Sequence, residues 1–413
     1  MTLPFAHDPV FPQRDALFDP AFVAACLASR YEWASRITRA ERVRATYRIG
    51  HSLRVRLRFE ADGVSHEVAA RAFRPGRSEH AFAKALSASD GDPSGIVHSP
   101  ANEAVFWVFP RDRRVPALAA MEAARAALSH VLPRPWVRSR LVAWAPENSA
   151  TFQCLDANGK VIAYAKVGSR ARGEYDRYVA LAEALAETRV DLHVPRAIAF
   201  SAPHDTLLVE PVGGRPLTYA PHDMHAIGIA LAHLHGLPIR DLPPFERFQP
   251  DVRRETVDLL ARSLPRLGAI AGRVDAALTA ASGVPDDPGC LHGDMHPKNV
   301  LVRGSHAAVI DVEEMCQGHR GADLGSLLAR LCCVRTMGGP DAGTANRAAE
   351  ALLEGYATVR AAPPALALRW HTAAALLVER ARRTVTRVYT SDFSYLDAQL
   401  TEAMRLLARE VTS

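Results

Sequence analysis

Apolar and polar residues alternate one for one in the first half of the chain and recur at helical spacing in the second. From Thr46 onward Leu53, Val55, Leu57 and Phe59 alternate with Arg54, Arg56 and Arg58, which predicts a half-buried strand. A turn at Asp62-Gly63 leads to a second strand over 67–73, a helix over 78–86, a loop over 87–95 and a strand over 104–109. Ahead of these, the spacing of Phe22, Val23, Cys26 and Leu27 is helical, with Asp19 as N-cap before Pro20. An alanine-rich helix over 117–132 is closed by the P-R-P of 133–135, which marks a boundary. Strands then follow over 141–144, 151–155 and 161–167, the last two joined by an Asn158-Gly159 turn. A helix over 173–187 and two further apolar runs, V-P-R-A-I-A-F and T-L-L-V-E-P, complete this part. Beyond Gly213 the periodicity becomes helical over 222–236, 251–282, 323–337, 344–359, 365–389 and 395–411. The predicted fold is α+β in three parts: 1–135, 136–213 and a helical 214–413.

The first two parts echo each other. Arg71 precedes Glu79 by the eight residues that separate Lys166 from Glu174, and 98–110 parallels 200–211. Residues 46–116 therefore read as a second, degenerate copy of the β-rich 136–213; the other reading is an unrelated β-rich domain.

Chemistry concentrates between Leu291 and Leu328. L-H-G-D-M-H-P-K-N-V-L-V is followed by V-I-D-V-E-E and G-A-D-L-G-S-L-L. Two short apolar strands with a polar tip form a hairpin that brings Asp294, Asn299 and Asp311 to one end. A base, an amide and a second carboxylate suit phosphoryl transfer, which depends mostly on positioning and on neutralising charge around Mg²⁺. The spacing H-x-D-x-x-x-x-N before an apolar strand ending in Asp is a kinase signature, with Gly293 where protein kinases carry Arg.

H-G-D-x-x-x-x-N with I-D-x-E and a later D-L resembles the aminoglycoside phosphotransferase and choline kinase group, the small-molecule branch of the protein-kinase-like fold. The resemblance covers about 136–400 and implies a bilobal molecule, a β-rich N-lobe and a helical C-lobe, that uses ATP and Mg²⁺. It implies that Asp294 is the catalytic base and that Asn299 and Asp311 are metal ligands. Asp323 becomes a structural aspartate at a helix start, and His292 a packing residue of the loop. Lys166 resembles the lysine that neutralises ATP phosphates, held by Glu174, with Glu183 as the competitor. The loop 145–150 has no glycine but offers Ser149 to a phosphate oxygen; backbone groups of Glu210 to Val212 are placed to read adenine. Glu313 falls in the metal's outer shell, Glu314 at the surface or against substrate, and His296 and Lys298 either near the phosphate or in solvent. The extra N-terminal part resembles the cap of maltokinase-like enzymes in architecture.

Charge changes the picture in one respect. Residues 1–140 carry 21 basic against 14 acidic side chains, the remainder 29 against 31, so the net +5 resides in the N-terminal third. Its arginines are scattered without aromatic interleaving, which argues against nucleic acid. No apolar run reaches the ~18 residues of a membrane span, and no secretory pattern opens the chain. The six cysteines lack C-x-x-C spacing, which fits reduced thiols and a cytoplasmic location. The basic R-A-R-R-T-V-T-R of 380–387 argues against a polycationic acceptor, unless it is a solvated helix face. The expected activity is transfer of the γ-phosphoryl of ATP to a hydroxyl of a small molecule: a sugar, an aminoglycoside or another natural product. A non-catalytic ligand-binding scaffold is the alternative. A protein kinase is disfavoured, because only eleven residues separate Asp311 from Asp323, too few for a peptide-docking loop.

Overall fold

In the computed structural model, which describes residues 4–89, 91–281, 287–337, 341–388 and 392–408, two five-stranded antiparallel sheets share one strand order. The first contains β1 (Ile37–Arg48), β2 (Ser52–Ala61), β3 (Val64–Ala72), β4 (Ile96–Ser99) and β5 (Ala104–Val108), ordered β1-β2-β3-β5-β4. The second contains β6 (Arg138–Ala145), β7 (Ser149–Leu155), β8 (Val161–Val167), β9 (Ala197–Ser201) and β10 (Thr206–Val209), ordered β6-β7-β8-β10-β9. A helix follows the third strand of each sheet, Ser78–Ser87 and Ala171–Thr188. Arg71 lies opposite Arg54 and Val105, one residue from the end of β3; Lys166 lies opposite Thr151 and Leu207, one residue from the end of β8. The correspondence ends at their partners. Glu174 faces Lys166, whereas Glu79 is exposed and Arg71 pairs with Glu147 in the β6–β7 loop.

Several elements depart from the sequence pattern. The single strand expected from Thr46 through Phe59 is two: β1 ends at Arg48, a turn follows over 49–51, and the alternating residues lie in β2. The outer half of β1, from Ile37, is an exposed edge of Thr, Arg and Glu that shows no alternation. β4 and β1's first half were therefore silent in the pattern. The helix expected over 117–132 splits into helical pieces, Pro116–Ala120, Met121–Leu128 and Ser129–Val131. The long helix expected over 365–389 is α-helical over Ala365–Ala375, passes through a π-helical turn over Leu376–Ala381, and resumes over Arg382–Thr386. The expected helix ends at Ser282, Tyr389 and Val411 lie outside the described residues.

The arginine face of β2 is not solvated. Arg56 is buried, donating to Glu67 at 2.7 Å and to the carbonyl of Trp144 at 2.7 Å, and Arg54 donates to Glu147 at 3.2 Å. The other face, Leu53, Val55, Leu57 and Phe59, packs with Leu260, Leu264, Leu377 and Leu400 of the helical region. A separate core joins Val105 and Trp107 of the first sheet to Trp144, Phe152 and Ala165 of the second. The first sheet thus lies between the second sheet and the helices, with part of its arginine-bearing face open to a cavity. No helix among the described residues is long and apolar enough to cross a membrane.

Candidate active site

The hairpin of Val300–Arg303 and His306–Val309 forms as the apolar pattern requires. The Ile310 N–H donates to the carbonyl of Asn299 at 2.9 Å, which ties Asn299 to the residue before Asp311. The buried Asn299 amide donates in turn to the main-chain carbonyl of Asp294 at 3.1 Å. Asp323, in the first turn of the helix Gly321–Thr336, grips the other side of the loop. Its carboxylate accepts from the N–H groups of His292 at 2.7 Å and Gly293 at 3.1 Å. Complete burial opposes that charge, but His235 at 3.2 Å and the backbone donors hold the carboxyl below its usual range. His292 Nδ1 accepts from the Asp294 N–H at 3.3 Å, so Nε2 carries the proton and donates to the Ile310 carbonyl at 2.9 Å. Gly293 adopts φ +79°, and a Cβ there would collide with the Glu314 carbonyl, which excludes the arginine that protein kinases place in this position.

Lys166 reaches this end of the hairpin from β8. Its ammonium pairs with Glu174, in the first turn of Ala171–Thr188, and with Asp311 Oδ1 at 2.7 Å. Burial works against the charge, yet the Glu174 and Asp311 carboxylates outweigh it and raise the ammonium above its ordinary range. Glu183 is exposed on the far side of the helix, which resolves the competition in favour of Glu174. Carboxylate oxygens of Glu174, Asp311 and Glu313 lie within 4.8 Å of one another. This donor set is all oxygen and hard, the chemistry that suits Mg²⁺ rather than a soft metal; Asn299 is not part of this group and does not line the cavity.

Lys166, Ser149, Asp311 and Asp294 line one cavity of about 810 Å³. Glu210 and Val212 do not line it; the Glu210 N–H donates to the Arg196 carbonyl at 2.9 Å, and its side chain accepts from Arg196 at 3.0 Å. Asp294 is clamped by two arginines from the helical region, Arg383 at 2.7 Å and Arg247 at 3.3 Å. Burial alone would raise its carboxyl; the two guanidiniums instead hold it well below the usual carboxylate range. Arg247 also pairs at 2.9 Å with the buried Glu379 of the π-helical turn. Neighbouring His296, 3.6 Å from Asp294, is pushed down to about 4 by burial.

The β6–β7 loop is held from the first sheet. Glu147, at φ +65°, accepts from Arg54, Arg71 and Arg113. Asp112 accepts from Trp144 Nε1 and from the Glu147 N–H, both at 2.9 Å. Against the other side of the loop, a Cβ at Gly168 would meet the Asn148 carbonyl at 2.6 Å. Sequence reasoning did not find Arg247, Arg383, Glu379 or Glu147. The local signals present were the basic run over 380–387 and the arginines of β2, and neither names a partner.

A β-rich lobe and a helical lobe with a lysine–carboxylate pair and a loop aspartate at one cavity define a kinase-like small-molecule phosphotransferase. A family model described as "Phosphotransferase enzyme family" matches residues 142–360, and the chain belongs to that family. Among solved structures, the chain is similar to choline kinase from Cryptosporidium parvum Iowa II at 14% identity and TM-score 0.48, over 69% of this chain and 95% of that one. It is also similar to a choline/ethanolamine kinase family protein from Mesorhizobium loti at 18% identity and TM-score 0.46, over 70% and 95%. A macrolide 2′-phosphotransferase from Brachybacterium faecium aligns at 17% identity and TM-score 0.44, over 71% and 99%. No curated protein matches.

Proposed function

We propose that the chain transfers the γ-phosphoryl of ATP to a hydroxyl of a small molecule, with Mg²⁺ as cofactor. The observation that carries this reading is the convergence of Lys166, Glu174 and Asp311 with Asp294 on one cavity. Lys166, fixed by buried Glu174, holds phosphate oxygens, and Ser149 adds its N–H and hydroxyl from the loop. Asp311 and Asn299 would hold the metal, which when bound would neutralise phosphate charge. On nucleotide binding, Asp311 passes from Lys166 to that role. The carbonyl of Glu210 and the N–H of Val212 are the groups left to read adenine, since the Glu210 N–H is already bonded.

Asp294 accepts the proton of the acceptor hydroxyl as its oxygen bonds to the γ-phosphorus and the bond to the β–γ bridging oxygen breaks, releasing ADP. Its ionised state needs no raised pKa, because orientation rather than basicity is required in a loose transition state. His292 and Asp323 keep the loop in shape. Residues 1–135 keep the frame of a nucleotide lobe without its lysine–glutamate pair, and we read them as a degenerate copy turned to support. A pure binding scaffold would not require an ionised carboxylate aimed into the nucleotide cavity.

The test is a mass-spectrometric screen of purified protein with Mg·ATP against sugars, aminoglycosides, choline-like alcohols and macrolides, with Asp294→Asn alongside. A phosphoryl gain on one compound that falls by roughly 10²–10⁴-fold in the variant, with ATP binding retained, is expected. Unchanged turnover in the variant would remove Asp294 from the role of base.

A further inference from the structure

The first sheet does more than support the second: it forms the wall of the cavity facing the nucleotide groups. Arg44 and Arg48 of β1 and Arg54 of β2 line it, and Arg382, Arg383 and Arg387 line it from the helical region. Eleven basic side chains and six carboxylates line the cavity, and three of the six, Glu174, Asp311 and Glu313, gather near Lys166. Carboxylates just outside the lining, Glu67 on Arg56, Glu255 on Arg48 and Arg382, and Glu379 on Arg247, offset part of this excess, and the remaining space keeps a positive balance.

The carboxylates that reach Arg48, Arg54, Arg382 and Arg383 are shared. Arg48 and Arg382 divide Glu255 between them, Arg382 at 3.0 Å. Arg54 shares Glu147 with Arg71 and Arg113, and Arg383 shares Asp294 with Arg247. Among the described residues, Arg44 Nε is buried without a hydrogen-bond partner. Partly desolvated guanidiniums that outnumber their anions are costly unless a ligand supplies the missing charge.

We propose that the acceptor is an anionic alcohol: a small hydroxylated molecule bearing a phosphate ester or a carboxylate, with that group held by Arg44, Arg48 and Arg382. The claim rests on the phosphotransferase reading above and names its substrate class. Guanidiniums suit such an anion because they bind its oxygens in pairs. Arg383, with one Nη on Asp294, bridges the anion site and the base, so an anion docked here presents a neighbouring hydroxyl to Asp294. The arginines take no part in the covalent step. A polycationic acceptor would meet like charge across most of the cavity and is disfavoured.

The experiment uses the full chain with a saturating non-hydrolysable Mg·ATP analogue, titrated with inorganic phosphate in wild type and in the Arg44→Gln/Arg48→Gln variant. Phosphate binding in the wild type that weakens roughly tenfold in the variant is expected, with analogue affinity held within about twofold. Equal phosphate binding in both proteins overturns the proposal. So does a parallel loss of analogue affinity, which would give these arginines to the nucleotide. Steady-state turnover on a matched set, a neutral sugar, its phosphate ester, its uronic acid and its amine, then separates the sources. Highest kcat/KM on the ester or the acid supports the anion site and says which anion it takes. A neutral or cationic member that equals them overturns it. A wild type that binds no analogue defeats the phosphotransferase reading itself, and the proposal with it.

Discussion

At the scale of single residues, the site is defined by which charges are paired and which are kept from water. Asp294 is ionised because two guanidiniums outweigh its desolvation, so its own titration lies far below neutral pH and does not limit a rate near pH 7. His371 shows the opposite balance. Buried beside Trp370, Phe248 and His319, it is pushed down to about 3, against about 6.5 in an unfolded chain. Between those values the unfolded chain binds a proton that the folded one refuses. Stability therefore rises with pH through the window, is full above about pH 6.5 and declines as pH falls below it. Urea unfolding at pH 7.5 and pH 5 should differ by about 2 kcal/mol from this group, and His371→Leu should remove that share. An unchanged pH dependence in the variant would show that the imidazole is not held neutral.

At the scale of elements, much of the site was legible. The loop over 291–299 and the hairpin after it carry their signals within a few dozen residues, as apolar alternation broken by His292, Asp294, Asn299 and Asp311. Lys166 and Glu174 were legible only through the family resemblance, which left Glu183 as a competitor for the pairing. Other features were not legible because their partners lie elsewhere. Arg54 and Arg56 occupy the polar phase of β2 and read as a solvated face, but another sheet covers them. Arg383 reaches Asp294 across 89 positions of sequence, after a π-helical turn that no helical periodicity announces. The β6–β7 loop is a third case: a glycine-free hairpin tip, unremarkable in sequence, is fixed in space by three arginines on Glu147. Glu147→Gln should loosen that loop and raise the KM for ATP about three- to tenfold, with the acceptor KM little changed. Steady-state kinetics with each substrate varied in turn would show it; an effect confined to the acceptor would contradict the assignment of the loop to phosphate binding.

At the scale of the whole molecule, two sheets share one strand order and differ in use. The second keeps a lysine on its third strand paired to the following helix; the first has Arg71 at the same place, turned to the loop of the second. The same sheet buries its apolar face on the helical region, so it belongs to the core of the whole and borders the cleft where an acceptor would enter. The progression from a β-rich first half to a helical second half was foreseeable from the sequence, apart from short strands such as β4. The packing of the first sheet between the other two layers was not, because both faces of β2 carry residues that a one-sided strand would also carry.

The account stands on the nucleotide being held where Lys166, Glu174 and Asp311 meet. Calorimetric titration with Mg·ATP would test this in the wild type, Asp294→Asn and Lys166→Ala. Wild type and Asp294→Asn should bind alike, and Lys166→Ala should bind roughly tenfold or more weakly, since a buried lysine–phosphate contact is lost. Lys166→Ala binding as tightly as the wild type would contradict the account.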